Sequence, residues 1–441
     1  MKDLNDYNTD LYEFKKTIYD LSKENESLKK ENKKLSTSLY KRARGKLRRT
    51  FKKEKKEPLP VDNYKGLKCY DSVYQDDIDF SKYSTDIKTL TFYLPQFHEF
   101  KENNEWWGKG FMEWTNTKKS KPRFEGHYQP REPHDDFGYY TLDNVETIKK
   151  QVALAKEHGI YGFCFYYYWF SGKRLLEKPV DLFLKDKSID FPFCLCWANE
   201  NWTRAWDGLS KEILIKQDYT KEDQKNFIKD MEKYLKDKRY IHVDGKPLVM
   251  IYNPTEIPDF EECMKEWRKT ARDLGIGEIC IWSKTTYMDE EHKYTPYVDG
   301  EFDFPPHGVG HDATKIYGLP SPKIYNYAKI VDDIEHLYRN YFPLKDYYFT
   351  CTMGWDNSPR REEGYTVYYN YSPEKYYKWL RYIIEETRRR HPKDKRYMFI
   401  NAWNEWAEGT YLEPDKKYGY TNINTLSKAI FDLPFDNKKN R

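Results

Sequence analysis

The chain has 441 residues, 34% of them charged and 18% aromatic, with 13 Trp and 41 Tyr. That length allows one large domain with appendages, and no run approaches the roughly 20 apolar residues of a membrane helix. The formal net charge of +4 is unevenly spread: residues 1–56 hold 18 Lys/Arg against 9 Asp/Glu, a net +9, and the remainder 58 against 63, a net −5.

The opening Met1-Lys-Asp-Leu-Asn-Asp6 carries acids where a secretory signal carries an apolar core. It predicts a cytoplasmic location. Residues 4–39 then show a heptad. Leu4, Leu11, Ile18, Asn25, Asn32 and Leu39 form one column; Tyr7, Phe14, Leu21, Leu28 and Leu35 form the other. Five regular heptads predict an α-helical coiled coil, with Asn fixing register in a parallel homodimer. A single amphipathic helix against the main domain is the alternative reading of the same columns.

Lys41 to Lys56 holds ten basic residues, one acid and the apolar Leu47 and Phe51. An anionic membrane surface would gain on the order of 1 kcal/mol per basic residue. A solvated linker is as good a reading, and nucleic acid is the disfavoured partner. Residues 57–86, opening Glu57-Pro-Leu-Pro60, read as a linker, so the expected domains are 1–56, 57–86 and 87–441.

From residue 87 strands and helices alternate. Predicted strands are Thr89–Leu94, Tyr161–Tyr167, Phe191–Trp197, Pro247–Tyr252, Glu278–Trp282, Tyr297–Phe302, Tyr347–Thr352 and Tyr397–Asn401. Predicted helices are Asn144–His158, Lys221–Lys236, Phe260–Leu274, Ile324–Tyr341, Pro373–Arg390 and Ile423–Phe431. Eight such strands predict an α/β fold, a (β/α)8 TIM-like barrel. A doubly wound sheet is disfavoured because no Gly-rich dinucleotide turn follows the first strand.

Barrel chemistry sits at the C-terminal strand ends. Most of the Trp fall there. The first such loop contains Trp106, Trp107, Glu113, Trp114 and Asn116; the second, Tyr168 and Trp169. The third contains Asn199, Glu200, Asn201, Trp202, Trp206 and Asp207; the seventh, Trp355 and Asp356. The eighth contains Trp403, Asn404, Glu405, Trp406 and Glu408. Flat rings among amides and acids suit a sugar, whose apolar face stacks while its hydroxyls bond. Two carboxylates spaced Glu-x-x-Glu suit glycosidic chemistry, in which one group gives a proton and another takes one. The plain alternative is a solvated polar loop.

Several blocks carry a resemblance: Tyr93-Leu-Pro-Gln-Phe-His98, Glu105-Trp-Trp-Gly-Lys-Gly110, Glu113-Trp-Thr-Asn116, Gly126-His-Tyr-Gln-Pro130, Trp197-Ala-Asn-Glu-Asn-Trp202 and Trp403-Asn-Glu-Trp-Ala-Glu-Gly409. In order and over about residues 88 to 415, they resemble the WbsX-type proteins of bacterial surface-polysaccharide synthesis, which are glycoside hydrolase family 99-like. The resemblance implies a (β/α)8 barrel with Glu405 as base toward the substrate's 2-hydroxyl and Glu408 as general acid. Ala407 stands where such enzymes often have His.

The expected function is therefore cleavage or transfer of a glycosidic linkage on an oligo- or polysaccharide, lipid-linked glycans included, at the inner membrane surface. A glycosyltransferase and a non-catalytic glycan-binding scaffold are the alternatives. No cofactor and no metal are expected. His307-Gly-Val-Gly-His311 is broken by glycines, Asp77-Ile-Asp79 precedes the barrel, and no CxxC pair occurs. Five of the seven Cys lie in strand-like runs, as small buried hydrophobes do.

Overall fold

In the computed structural model, the described residues are 71–204, 209–285, 293–309, 322–340, 343 and 345–435. All belong to the unit 60–441. The predicted coiled coil over 4–39 and the basic stretch 41–56 lie outside the described residues.

Eight strand positions form one parallel sheet. They are β1 (Lys88–Tyr93), β2 (Gly162–Phe170), β3 (Phe193–Trp197), β4 (Lys246–Ile251), β5 (Cys280–Lys284), β6 (Gly300–Phe302), β7 (Asp346–Tyr348 with Thr350–Thr352) and β8 (Tyr397–Asn401). β8 pairs with β1, Lys88 opposite Tyr397. The two halves of β7 pair with opposite neighbours: Asp346 faces Gly300 of β6, and Thr350 faces Phe399 of β8. The sheet thereby returns on itself as an α/β barrel.

The helices are α1 (Lys101–Trp107), α2 (Glu113–Lys119), α3 (Val145–Glu157), α4 (Lys178–Lys185), α5 (Lys221–Leu235), α6 (Phe260–Asp273), α7 (Tyr327–Asn340), α8 (Pro373–Arg390) and α9 (Thr421–Ile430). Side-chain caps start several of them. Asn144 accepts from Thr147 N at 3.0 Å, Thr220 from Asp223 N at 3.2 Å and Ser372 from Lys375 N at 3.3 Å.

Several features depart from the predicted pattern, beginning with the short helices α1, α2 and α4, which are not among the predicted ones. The helix predicted from Ile324 starts at Tyr327, because Lys323–Asn326 is a strand paired with Thr366–Tyr369. The Asn326 side chain then accepts from Ala328 N at 3.0 Å and turns the chain into the helix. Among the described residues, β5 and β6 are joined by a 3-10 turn, Thr295–Tyr297, without an α-helix. Residues 71–86, read as linker, run against the barrel. Thr421 donates to Val73 O at 2.8 Å, and His158 Nε2 meets Asp77 Oδ1 at 2.9 Å.

Strand alternation divides the core into two layers. Inside the barrel, Phe92 packs against Phe399 at 5.3 Å and Phe304 at 4.8 Å. Outside, Trp197 and Trp267 close on Phe227 of α5 at 4.6 and 4.7 Å. Among the described residues no helix is long and apolar enough to cross a membrane.

Trp267 is fully buried. Trp267→Ala should cost about 3–5 kcal/mol of stability, read as a lower urea midpoint with an unchanged slope; a loss below 1 kcal/mol would show that the α5–α6 seam is not tightly packed.

Candidate active site

The C-terminal strand ends open on a cavity of about 380 Å³. Alternation decides which side chains reach it. On β2, Tyr166, Tyr168 and Phe170 line the cavity. Tyr167 and Trp169 between them face α5, where Tyr167 donates to Asp230 and Trp169 Nε1 lies 2.9 Å from Asp223 Oδ1.

β8 delivers the two acids. Beyond it, Asn404–Glu405 pairs with Thr410–Tyr411 around a 3-10 turn, Trp406–Glu408. This turn sets Glu405 and Glu408 on the cavity. Trp403 and Trp406 face the framework instead. Their indole N–H groups donate to Glu413 at 3.0 and 2.7 Å, and Gln151 and Tyr140 add donors at 2.7 and 2.8 Å. Burial pushes the Glu413 carboxyl up to about 7, against the pull of these four donors. Asn404 bonds the backbone N and O of Leu94 at 2.7 and 3.0 Å, pinning the end of β8 to the end of β1.

Glu408 is fixed from below. Its carbonyl accepts Asp356 N at 2.7 Å. The Asp356 carboxylate in turn takes donors from His127 at 2.8 Å and Gln129 at 2.7 Å. Burial opposes its ionisation, but His127 and Arg131 outweigh this and hold it well below the usual carboxylate range. Gly409 follows at φ 64°, where an added Cβ would stand 2.9 Å from Asp356 Cβ and 3.0 Å from Arg131 Nη2. Only glycine satisfies both the backbone angle and the approach.

Arg360, in the 3-10 turn Ser358–Arg360 after β7, joins the acids. Its Nη2 lies 2.8 Å from Glu405 Oε2 and 3.1 Å from each oxygen of Glu113; its Nη1 bonds Glu408 Oε1. Glu113, fully buried at the start of α2, also accepts the Ala407 N–H at 2.7 Å. Burial raises the carboxyls of Glu405 and Glu408 above their usual range; Arg360 pulls both down, and Glu113 pushes both up. Glu405 is 5% exposed and the Glu408 side chain 20%, so Glu408 is the more open of the two.

Tyr168, Glu200, Asn201, Trp202 and Trp355 share the cavity with these acids. Glu200 accepts from Asn253 at 2.8 Å. Trp202 packs on Tyr168 at 5.2 Å and on Trp106 at 5.9 Å, with Trp107 in the same half-buried aromatic group. Trp114, Trp169, Asn199, Asp356, Trp403, Asn404 and Trp406 are buried, with their polar atoms bonded inside the framework. Trp114 Nε1 donates to Tyr140 O at 2.8 Å, and Asn199 Oδ1 accepts Asn253 N at 2.7 Å. Asn116 is half-buried on α2, and Trp206 and Asp207 lie outside the described residues.

Sequence reading missed Arg360, Gln96, Tyr166, Tyr252 and His307, all on the cavity wall. Tyr166 follows from Tyr168 by a period of two, and Arg360 from extending the seventh loop three residues. Gln96 follows the first predicted strand and Tyr252 ends the fourth, so both have the rim position as a signal, whereas His307 is weighed only as a metal ligand. Among the described residues no group of three or more His, Cys, Asp or Glu could hold a metal ion.

Residues 89–426 match the family described as Glycosyltransferase WbsX. The chain is 39% identical over 355 residues to the uncharacterized protein WxcX of Xanthomonas campestris pv. campestris strain B100, covering 78% of this chain and 50% of that one. It thus spans about half the length of the curated relatives it matches. Among solved structures, a glycoside hydrolase-like protein is similar at TM-score 0.52 and 12% identity, over 84% of this chain and 99% of that chain. The GH99 endo-alpha-mannosidase from Bacteroides thetaiotaomicron stands at 0.46 and 15%, over 79% and 97%. The likeness at TM-score 0.52 concerns the fold.

Glu413 makes stability depend on pH. Its folded carboxyl, at about 7, holds a proton more tightly than the unfolded one, at about 4.5. Its contribution is therefore fully present below about 4.5 and is lost as pH rises to about 7. In Glu413→Gln this part of the slope should vanish, read as a wild-type-minus-variant difference in unfolding free energy from pH 4 to 8. A difference that does not vary with pH would refute the assignment.

Proposed function

This chain belongs to the WbsX family, and from that premise we propose a glycan-active enzyme of bacterial surface-polysaccharide metabolism that cleaves or transfers a glycosidic linkage. One observation carries the reading: Glu405 and Glu408, joined to each other and to Glu113 by four hydrogen bonds from the Arg360 guanidinium, meet in one aromatic-walled cavity at the strand ends.

In the proposed reaction Glu405 takes the proton of the substrate's 2-hydroxyl. That oxygen attacks the anomeric carbon, the bond to the leaving oxygen breaks, and Glu408 gives its proton to that oxygen. The products are an anhydro-sugar and a free alcohol. Glu408, now a carboxylate, then takes a proton from an incoming hydroxyl whose oxygen opens the anhydro ring, and Glu405 returns its proton to the 2-oxygen. The greater exposure of the Glu408 side chain, 20% against 6% for Glu405, supports its role as the acid that meets the leaving oxygen. Water as the incoming hydroxyl gives hydrolysis, and a sugar gives transfer. The description of the family as glycosyltransferases favours transfer. Tyr168, Trp202 and Trp355 would stack the sugar rings, and Glu200 and Asn201 would bind hydroxyls.

Glu405→Gln and Glu408→Gln should each lower turnover of a surface-polysaccharide panel by roughly 10²–10⁴-fold, scored by mass spectrometry of released or extended glycans. Undiminished turnover in both variants retires the mechanism.

The heptad over 4–39 and the charge of 41–56 support a homodimer held at an anionic membrane surface and acting on a lipid-linked glycan. Full-length protein should co-sediment with phosphatidylserine vesicles at low salt and leave them at about 1 M salt, where screening falls to about 3 Å. Retention at high salt would argue against electrostatic docking.

A further inference from the structure

The three carboxylates around Arg360 are not equivalent. Both Glu113 oxygens accept from Arg360 Nη2 at 3.1 Å, and Oε1 also accepts the Ala407 amide at 2.7 Å. Donors therefore reach both oxygens of Glu113, a charge-assisted pair with the guanidinium and a backbone clamp. Glu405 and Glu408 each receive one arm of the same guanidinium. Three full negative charges bound to one guanidinium in a buried site, with the second cation nearby, Arg361, exposed to solvent, cannot persist cheaply, and one carboxyl of such a group holds a proton.

We infer that Glu113 and Arg360 are a positioning pair for the proposed acid–base couple. Glu113 is the fixed anion of the site, and Arg360 sets against it, so that the working proton stays on Glu405 or Glu408. The inference rests on the functional reading only for the meaning of that proton. Ala407 has a part in it, since the bond that clamps Glu113 comes from its backbone and joins α2 to the acid turn. Glu113 acts on the acids through charge and through this turn.

Other groups also face the acids: Tyr166 and Tyr168 on β2, Glu200 after β3, Tyr252 after β4, His307 after β6 and Arg361 beside Arg360. Burial holds both tyrosines of β2 and Tyr252 above their usual range, so they stay neutral. Burial lowers His307 to about 4, so it too is neutral near pH 7.

The test is a carboxyl-carbon NMR titration of full-length protein labelled at the Glu side-chain carboxyl, with Glu405→Gln and Glu408→Gln used to assign the two signals. Glu113→Gln keeps the shape and removes the charge, and should lower the Glu405 and Glu408 midpoints by about 1 unit. Arg360→Met should raise them, and Arg360→Lys should fall between Arg360→Met and wild type. A role in packing alone would move both sets of variants the same way or neither. Midpoints unmoved by Glu113→Gln, or moved upward by it, overturn the inference; should Arg360→Met fail to fold, Arg360→Lys against Glu113→Gln gives the same contrast. Opposite shifts alongside undiminished turnover in the Glu405 and Glu408 variants would leave the positioning pair standing and sink the functional reading. Lost turnover with unmoved midpoints would do the reverse.

Discussion

One buried carboxylate ties the site together. Glu413 takes four donors, from Trp403, Trp406, Gln151 and Tyr140, and so joins the end of β8 to α3 and to the segment before it. An unpaired buried carboxylate would cost several kcal/mol, and four donors offset that cost only when all are in place. The two indoles cannot turn toward the cavity without breaking this set. Glu405 and Glu408, which alternate with them along the turn, are thereby directed into it.

The barrel supplies the second constraint. Asn404 bonds both backbone groups of Leu94, and the halves of β7 pair with β6 and β8. Residues far apart in sequence then meet: Glu113 from the first loop, Arg360 from the seventh and the Glu405–Glu408 turn from the eighth. The guanidinium is the natural centre for such a meeting. Its planar fork presents several N–H groups at fixed angles, so it serves three carboxylates where an ammonium would act as a point charge.

A site of this composition can hold protons where ordinary carboxyls would have lost them. Desolvation is the largest influence on both Glu405 and Glu408, Arg360 moderates it, and Glu113 renews it. The balance matters more than any single contact. Too much positive charge would leave both acids ionised, and too little would leave both protonated, and neither state runs acid–base chemistry.

The order of strands and helices was legible in the chain because hydrophobic runs of strand length and amphipathic helical periods are local patterns. So was the rim position of Glu405 and Glu408, since it follows from the end of a strand. The tertiary structure alone decided which aromatic residues face the cavity. Trp169, Trp403 and Trp406 look like sugar platforms in one dimension, yet alternation and the Asp223 and Glu413 carboxylates turn them into the framework. Arg360 escaped notice for a different reason. Its partners lie 45 to 247 residues away, and a charge acquires its meaning from neighbours that only the folded chain brings within 3.1 Å.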